Sequence, residues 1–177
     1  MIIYFLRHAS AGEHFSNPKK DEKRALDKNG IEQCGEVGRT LAALDVQVDV
    51  ILSSPLKRSA QTASLVGNEL SYEGKILFED GLRPEATFAD FRRMLEKYAK
   101  YESIMVVGHN PSMTEFLVEM LSGNSSREFI DFKKGAVAKV EKAGDQPAVL
   151  KWCLTPKVVR AIQKVSTSSS RPKTASK

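Results

Sequence analysis

Histidine and arginine side chains follow short apolar runs at three places in the sequence. Arg7 and His8 come directly after one run, Arg58 stands a few residues after a second, and His109 follows a third. Neutral histidine is a competent nucleophile toward phosphorus, and the planar guanidinium of arginine matches phosphate oxygens with paired hydrogen bonds. Such cationic groups can neutralise charge as magnesium does in other phosphoryl-transfer sites. The combination indicates a site for a dianionic phosphoryl group.

The motifs of the common nucleotide and metal enzymes are missing from the sequence. It has no GxxxxGK[ST] phosphate loop, no GxGxxG and no HExxH. Cys34 and Cys153 are far apart, lack CxxC spacing and do not lie in a Gly-rich turn before an arginine, which argues against a disulfide framework, a structural zinc site and a cysteine-based phosphatase. We therefore expect no metal and no cofactor, and we interpret both cysteines as buried free thiols.

The candidate residues need a scaffold that brings the ends of the apolar runs together. The runs cover residues 2–6, 48–52 and 103–107 and show no polar alternation, as expected for strands covered on both faces. Helices are predicted to begin at Pro55 and Pro111, because proline is favoured at the first helical position. Strands that alternate with helices predict an α/β fold, a single-domain layered α/β/α arrangement with a mostly parallel central sheet. Ligands of such sheets bind beyond the carboxyl ends of the strands.

Helical spacing of apolar residues predicts two further helices. Thr87 is placed as the N-cap of the second one. The two apolar faces are formed by Ile31, Cys34, Val37, Leu41 and Leu44, and by Phe88, Phe91, Leu95 and Tyr98. Near the end, GAVAKVE and AVLKWCL flank a turn-like AGDQP segment, which predicts an antiparallel hairpin.

The length of 177 residues and the 41% hydrophobic content predict one folded domain, residues 1–160, followed by a basic Ser/Thr/Lys-rich tail, residues 161–177, that we expect to be disordered. The net charge is +5, but residues 156–177 alone carry +6, so the excess belongs to the tail. A solubilising tail is therefore favoured over nucleic-acid binding. The sequence shows neither a signal peptide nor an apolar stretch near the roughly 20 residues of a membrane span, so we expect a cytoplasmic monomer.

Three segments in this order, LRHAS, SSPLKRSAQTA and VGHNPS, resemble the histidine phosphatase superfamily, also called phosphoglycerate mutase-like, and within it the small SixA-type phosphohistidine phosphatases. The resemblance runs from Met1 to about Val159. It implies that His8 is the phospho-accepting nucleophile, that Arg7 and Arg58 bind phosphoryl oxygens, and that His109 completes the pocket. Residues 24–30 resemble the (R/H)xLTxxG region of this group, which adds Arg24 as a phosphate ligand.

Two departures from the wider family bear on the site. The family usually has RHG where this chain has Ala9, which should be tolerated unless that position requires a positive φ. Larger relatives carry a long insertion after the second motif that supplies a lid and an acidic residue. Here the connection is short, so the site should be open and should suit a phosphoryl group presented by another protein.

The short connection contains three candidates for a general acid, and each is equally well explained as a solvated loop carboxylate. They are Glu79, Asp80 and Glu85. Phosphohistidine needs less acid assistance than an alkyl phosphate ester, because its P–N bond is labile. The resemblance thus implies a metal-independent phosphatase that acts through phospho-His8 on phosphohistidine in a protein. The alternatives are a phosphomonoesterase acting on small phosphorylated metabolites and a module that only binds phosphorylated ligands.

Overall fold

The protein is described by a computed structural model over residues 1–123, 130–144 and 146–169. Strands and helices follow one another in an α/β order. The elements are β1 (Ile2–Arg7), α1 (Pro18–Glu22), α2 (Lys28–Ala43), β2 (Val50–Ser53), α3 (Lys57–Glu69), β3 (Leu77–Phe78), a 3₁₀ turn (Asp80–Leu82), α4 (Phe88–Lys97), β4 (Ser103–Gly108), α5 (Ser112–Ser122), β5 (Val137–Glu141), β6 (Val149–Leu154) and α6 (Pro156–Ser169).

The six strands form one sheet in the order β3-β2-β4-β1-β5-β6. The first four are parallel, and β5 and β6 add an antiparallel hairpin beside β1. This confirms the mostly parallel sheet and the closing hairpin. Because β1 and β4 pair in register from Ile2–Ser103 to Arg7–Gly108, their carboxyl ends lie side by side.

Alternate residues of the central strands pack into two separate cores. One face, with Phe5 and Val106, packs against α4 and α5, and the other, with Leu6 and Val107, packs against α2, α3 and α6. Every residue of β2 and the inner residues of β1 and β4 are buried. Burial on both faces explains why these strands lack polar alternation.

Both proline-based predictions of a helix start are slightly wrong. Helix α3 begins at Lys57 rather than Pro55, because Leu56 has an extended backbone and serves as the N-cap. Helix α5 begins at Ser112, and Pro111 is its N-cap. The predicted cap of α4 is correct: Thr87 Oγ1 accepts the Asp90 N–H, and the Asp90 carboxylate accepts the Thr87 N–H in a capping box.

The predicted apolar face of α2 needs correction at its two ends. Cys34, Val37 and Leu41 are buried, but Ile31 and Leu44 are about half exposed. Ile31 lies roughly 100° around the helix from the buried stripe, and Leu44 comes after the last helical residue. The interpretation of Cys153 as buried is also wrong, since it lies exposed on the edge strand β6.

Helix α6 crosses the expected domain boundary at residue 160. Val159 is fully buried against α2, and Arg160 Nε donates to both carboxylate oxygens of Glu36 at 2.8 and 3.1 Å. The segment expected to be a disordered tail from residue 161 is therefore helical as far as Ser169, because its first turns pack on the domain. Residues 170–177 lie outside the described residues. None of the helices within the described ranges has the length and apolarity needed to cross a membrane.

Candidate active site

Two histidines extend from adjacent parallel strands at the carboxyl edge of the sheet. His8 follows β1 and His109 follows β4, and the His8 N–H donates to the Gly108 carbonyl at 2.9 Å. The two rings lie with their centroids 5.0 Å apart and their planes at 55°. Both side chains are almost completely buried. The sheet itself therefore fixes the distance between the two histidines.

The tautomer of His8 follows from its partner. Nδ1 lies 2.7 Å from the Ala9 carbonyl oxygen, which can only accept, so Nδ1 carries the proton and Nε2 keeps its lone pair. Burial is the main cause that lowers the pKa of His8 to about 3. The hydrogen bond to Ala9 raises this pKa, and nearby positive charges lower it further, those of Arg58, Arg7 and Lys134. The ring is thus neutral near pH 7, which is the form that attacks phosphorus.

The loop after β1 is held by side chains from α2 and α3. Ala9 donates its N–H to Thr62 Oγ1 at 3.1 Å, and Ser10 donates its N–H to Gln33 Oε1 at 2.9 Å. The backbone of Ala9 does not have a positive φ, so alanine in place of the family's usual glycine is not strained. At Gly30 a Cβ atom would overlap the Ser10 carbonyl oxygen, so only glycine allows this close approach.

Two arginines flank the histidines, Arg7 partly buried and Arg58 buried, and each guanidinium group is held by one backbone carbonyl. Arg7 Nη1 donates to the Phe132 carbonyl at 2.8 Å, and Arg58 Nη1 donates to the Asp21 carbonyl at 3.0 Å. The Nε atom of each arginine is buried without a partner among the described residues. Burial lowers the pKa of both groups, yet arginine stays charged at physiological pH. The free N–H groups can donate to the oxygens of an anion.

Arg24 joins this cluster through Asp21. Asp21 Oδ1 accepts from Arg24 Nε at 2.8 Å, while its Oδ2 lies 3.3 Å from Arg58 Nη1. Burial would raise the pKa of Asp21, but the hydrogen bonds from Arg24 and the Phe15 N–H and the charges of both arginines lower it overall. The positive charge of Arg24 also lowers the pKa of Arg58 and of His109.

The ring of His109 is bound at one nitrogen only. Nε2 lies 2.9 Å from Ser54 Oγ and 3.2 Å from Ser59 Oγ, whereas Nδ1 is buried and has no partner among the described residues. Burial lowers the pKa of His109 to about 2, with further lowering by His8 and the neighbouring arginines. The site thus combines two neutral imidazoles with three guanidinium groups, an arrangement that can bind a phosphoryl group and transfer it to nitrogen.

The family model of the histidine phosphatase superfamily, branch 1, matches residues 3–102, which include the first two motifs and all three arginines. The chain belongs to the histidine phosphatase superfamily. An uncharacterized protein of Picosynechococcus is 29% identical over 140 residues, covering 77% of this chain and 82% of that protein. The mitochondrial serine/threonine-protein phosphatase Pgam5 of Drosophila persimilis is 26% identical over 148 residues, covering 67% of this chain. The chain spans half the length of that relative.

Solved histidine phosphatase structures share the fold across nearly the whole chain. The protein histidine phosphatase SixA complexed with tungstate superposes with a TM-score of 0.78 at 22% identity, covering 89% of this chain and 98% of SixA. The structure assigned as SixA from Agrobacterium tumefaciens superposes with a TM-score of 0.71 at 25% identity, covering 88% of this chain and 97% of that protein. The alpha-ribazole phosphatase of Shigella flexneri superposes with a TM-score of 0.72 at 16% identity, covering 88% of this chain and 97% of that protein. These matches confirm the phosphoglycerate mutase-like architecture.

The connection between α3 and α4 contains no long lid in this histidine phosphatase. Residues 70–87 hold only β3 and the 3₁₀ turn, as expected from the sequence. Glu79 accepts from Tyr98 Oη at 2.7 Å and from Lys97 Nζ at 3.2 Å, and Asp80 accepts from Arg83 Nε at 2.6 Å. Glu85 is exposed. No hydrogen bond or ion pair within the described part of the chain joins any of these three carboxylates to the histidines, so a general acid among them stays a prediction.

The sequence-based interpretation missed two charged residues at the site. Asp21 stands in the charge run KKDEKR, where a solvated helix face is the ordinary interpretation, although its i,i+3 spacing to Arg24 was a usable signal. Lys134 precedes Gly135, whose N–H donates to the His8 carbonyl at 3.1 Å. That position brings the Lys134 charge near His8, but no local sequence pattern indicates it.

Proposed function

We propose that this histidine phosphatase hydrolyses phosphohistidine carried by another protein, through a phospho-His8 intermediate and without a metal ion. The observation that carries the proposal is the buried, neutral His8 ring, whose proton is held on Nδ1 by the Ala9 carbonyl. Its Nε2 lone pair is thereby available to attack phosphorus. In the described residues, no group of three or more His, Cys, Asp or Glu side chains is placed to hold a metal ion.

The proposed reaction has two displacements at phosphorus. In the first, the bond from His8 Nε2 to phosphorus forms while the substrate's P–N bond breaks, and the departing imidazole nitrogen takes a proton from solvent. Arg7, Arg58 and Arg24 neutralise the equatorial oxygens during this step. In the second, a water oxygen attacks phosphorus, the bond to Nε2 breaks, and phosphate leaves with His8 restored.

A protein substrate is favoured by the short connection between α3 and α4. Residues 70–87 contain only β3 and the 3₁₀ turn, so they supply no long insertion that would exclude a bulky partner. The Agrobacterium tumefaciens protein assigned as a phosphohistidine phosphatase is 25% identical to this chain, which supports the same substrate class. The labile P–N bond also suits a site in which no carboxylate of the described residues bonds to His8 or His109.

The second candidate function is hydrolysis of phosphate esters. Pgam5, a serine/threonine-protein phosphatase, is similar to this chain at the sequence level and favours a monoester substrate. This activity uses the same nucleophile and arginines but needs a donor that protonates an alkoxide leaving group. Glu79, Asp80 and Glu85 remain the candidates for that donor, as predicted from the sequence.

Single-turnover hydrolysis separates these functions. A protein labelled with phosphohistidine and an aryl phosphate are each mixed with excess enzyme in the presence of EDTA, with native chain, His8→Ala and the matched control His14→Ala. We expect native chain and the His14 variant to clear phosphohistidine much faster than the aryl ester, and the His8 variant to be inactive. Faster ester hydrolysis would establish the phosphomonoesterase, and binding without turnover would leave the binding module.

A further inference from the structure

His109 has one satisfied ring nitrogen and one that lacks a partner, although the residue is only 2% exposed. Its Nε2 is shared by the hydroxyls of Ser54 and Ser59, whereas Nδ1 bonds to none of the described residues. A buried polar atom without a partner is unfavourable in a folded protein, so it calls for an explanation. One explanation is a bound ligand that accepts or donates the missing hydrogen bond. The ring of His109 is placed for this role because it lies beside His8, the proposed nucleophile.

The neutral ring has one N–H and one lone pair, so its two tautomers behave differently toward an anion. With the proton on Nε2, the Nδ1 lone pair would repel a phosphoryl oxygen. With the proton on Nδ1, Nε2 accepts from a serine hydroxyl and Nδ1 becomes a donor. Ser54 Oγ already accepts the Leu56 N–H at 3.4 Å, which leaves its own proton for Nε2.

Ser59 adds a second hydroxyl to the same nitrogen. It is fully buried in the first turn of α3, next to Arg58, so one helix start directs a guanidinium and a hydroxyl into the same site. Its side chain has no other described hydrogen bond, so its proton is also available to Nε2. Because a hydroxyl can donate or accept, the contacts at 2.9 and 3.2 Å allow both tautomers, and the buried Nδ1 beside the anion site favours the one in which Nε2 accepts.

We propose that Ser54 and Ser59 are positioning residues that fix the Nδ1–H tautomer of His109, and that this N–H donates to an equatorial oxygen of the phosphoryl group. The inference rests on the proposed function for the identity of the anion. The tautomer itself is a property of the protein without substrate, so it can be tested whether or not turnover is observed.

The first test is long-range 1H–15N NMR of the native chain labelled with 15N-histidine, at pH 7, with and without tungstate as the oxyanion probe. Assignment uses a His109→Asn variant. We expect Nδ1 of His109 to show the protonated shift and Nε2 the unprotonated one, and we expect Nδ1 to move when tungstate binds. A protonated Nε2 would overturn the proposal.

The second test is tungstate binding by calorimetry to the double variant Ser54→Ala/Ser59→Ala. Without the two hydroxyls the His109 ring is free to adopt either tautomer. We therefore expect the affinity for tungstate to fall about tenfold, the effect of losing one hydrogen bond to a charged group. Ser53→Ala is the matched control, because that serine is equally buried but its hydroxyl donates to the Ser54 carbonyl, and its affinity should be native. Unchanged affinity in the double variant would contradict the proposal.

Single Ser59→Ala keeps the test decisive if the double variant does not fold. It removes only the longer of the two hydroxyl contacts, and we expect about a threefold loss of tungstate affinity together with a shift of both His109 nitrogens toward a tautomer mixture. Native nitrogen shifts and native affinity would refute a role for Ser59. Failure of the phosphohistidine assay alone would refute the proposed function and leave the tautomer result standing.

Discussion

The carboxylate of Asp21 lies 3.3 Å from Nη1 of Arg58, and the same guanidinium group donates to the Asp21 backbone carbonyl. The short helix α1 is thereby tied to a group that is proposed to bind phosphate. Because Asp21 also bonds to Arg24, one carboxylate sets the spacing of two of the cations. Its charge is therefore a structural requirement of the site.

The charge of Asp21 should make part of the stability depend on pH. Its folded-state pKa is lowered below 3.8, so the contribution is present above that value and is lost as pH falls through the lower folded pKa. We expect Asp21→Asn to be less stable than the native chain at pH 7 and to approach it progressively as pH falls below 3.8. Urea denaturation at several pH values measures this difference. Asp45→Asn is the control, and it should stay within about 0.5 kcal/mol of native throughout. If the difference in unfolding free energy between Asp21→Asn and the native chain does not change with pH, the charge of Asp21 does not contribute to stability in this way.

His8 should remain neutral well below the pH at which free histidine titrates. Burial lowers its pKa from 6.5 to about 3, so between these pH values the unfolded chain binds a proton that folded His8 does not. The contribution of neutral His8 to stability is therefore complete above pH 6.5 and is lost progressively as pH falls to about 3. We expect the NMR signal of its Cε1 proton to stay constant between pH 8 and pH 5, while N-acetylhistidine amide in the same tube titrates. An inflection of the His8 signal near pH 6.5 would show that the ring is not desolvated.

Gly30 should be irreplaceable even by alanine. The added methyl would overlap the Ser10 carbonyl oxygen and push the loop that carries His8. We expect Gly30→Ala to lose about 1–3 kcal/mol of unfolding free energy and most of the turnover. Gly12→Ala is the matched control, since a Cβ there meets nothing within 4 Å. Equal stability of the two variants in urea would exclude this account of the loop.

Lys134 should strengthen anion binding through its charge. It lowers the pKa of His8 from the loop before β5 and is exposed. We expect Lys134→Gln to weaken tungstate binding about threefold to tenfold at low salt, with a smaller loss at high salt because ions screen exposed charges. Lys133→Gln is the comparison, because Lys133 is paired with Asp131 at 2.7 Å. Equal losses in both variants would indicate a general effect of net charge.

Val159 should count as a residue of the folded domain. It is fully buried against α2, whereas its neighbour Val158 is 44% exposed. We expect Val159→Ala to cost about 2 kcal/mol of unfolding free energy and Val158→Ala less than about 0.5. Thermal denaturation of both variants measures this. A harmless Val159→Ala would show that α6 does not contribute to the stability of the domain.

The parts of the fold that depend on local pattern were predictable, and those that depend on tertiary contact were not. The three apolar runs identified β1, β2 and β4, and the parallel-sheet rule then brought His8 and His109 to one edge. The proline rule misplaced the start of α3, because it does not specify the backbone of Leu56. Ser59 received no role from the sequence, since its partner His109 is 50 positions away.

The antiparallel strand β5 beside β1 has a consequence for the order of synthesis. Arg7 is anchored on the carbonyl of Phe132, 125 positions later, and the His8 carbonyl receives the N–H of Gly135. The ribosome makes His8 before Phe132 and Gly135, so the strand that leads to His8 exists before the contacts that orient it. A nascent chain that stops before residue 132 lacks these anchors, so the arrangement of Arg7 and His8 is completed only after Gly135 has been made.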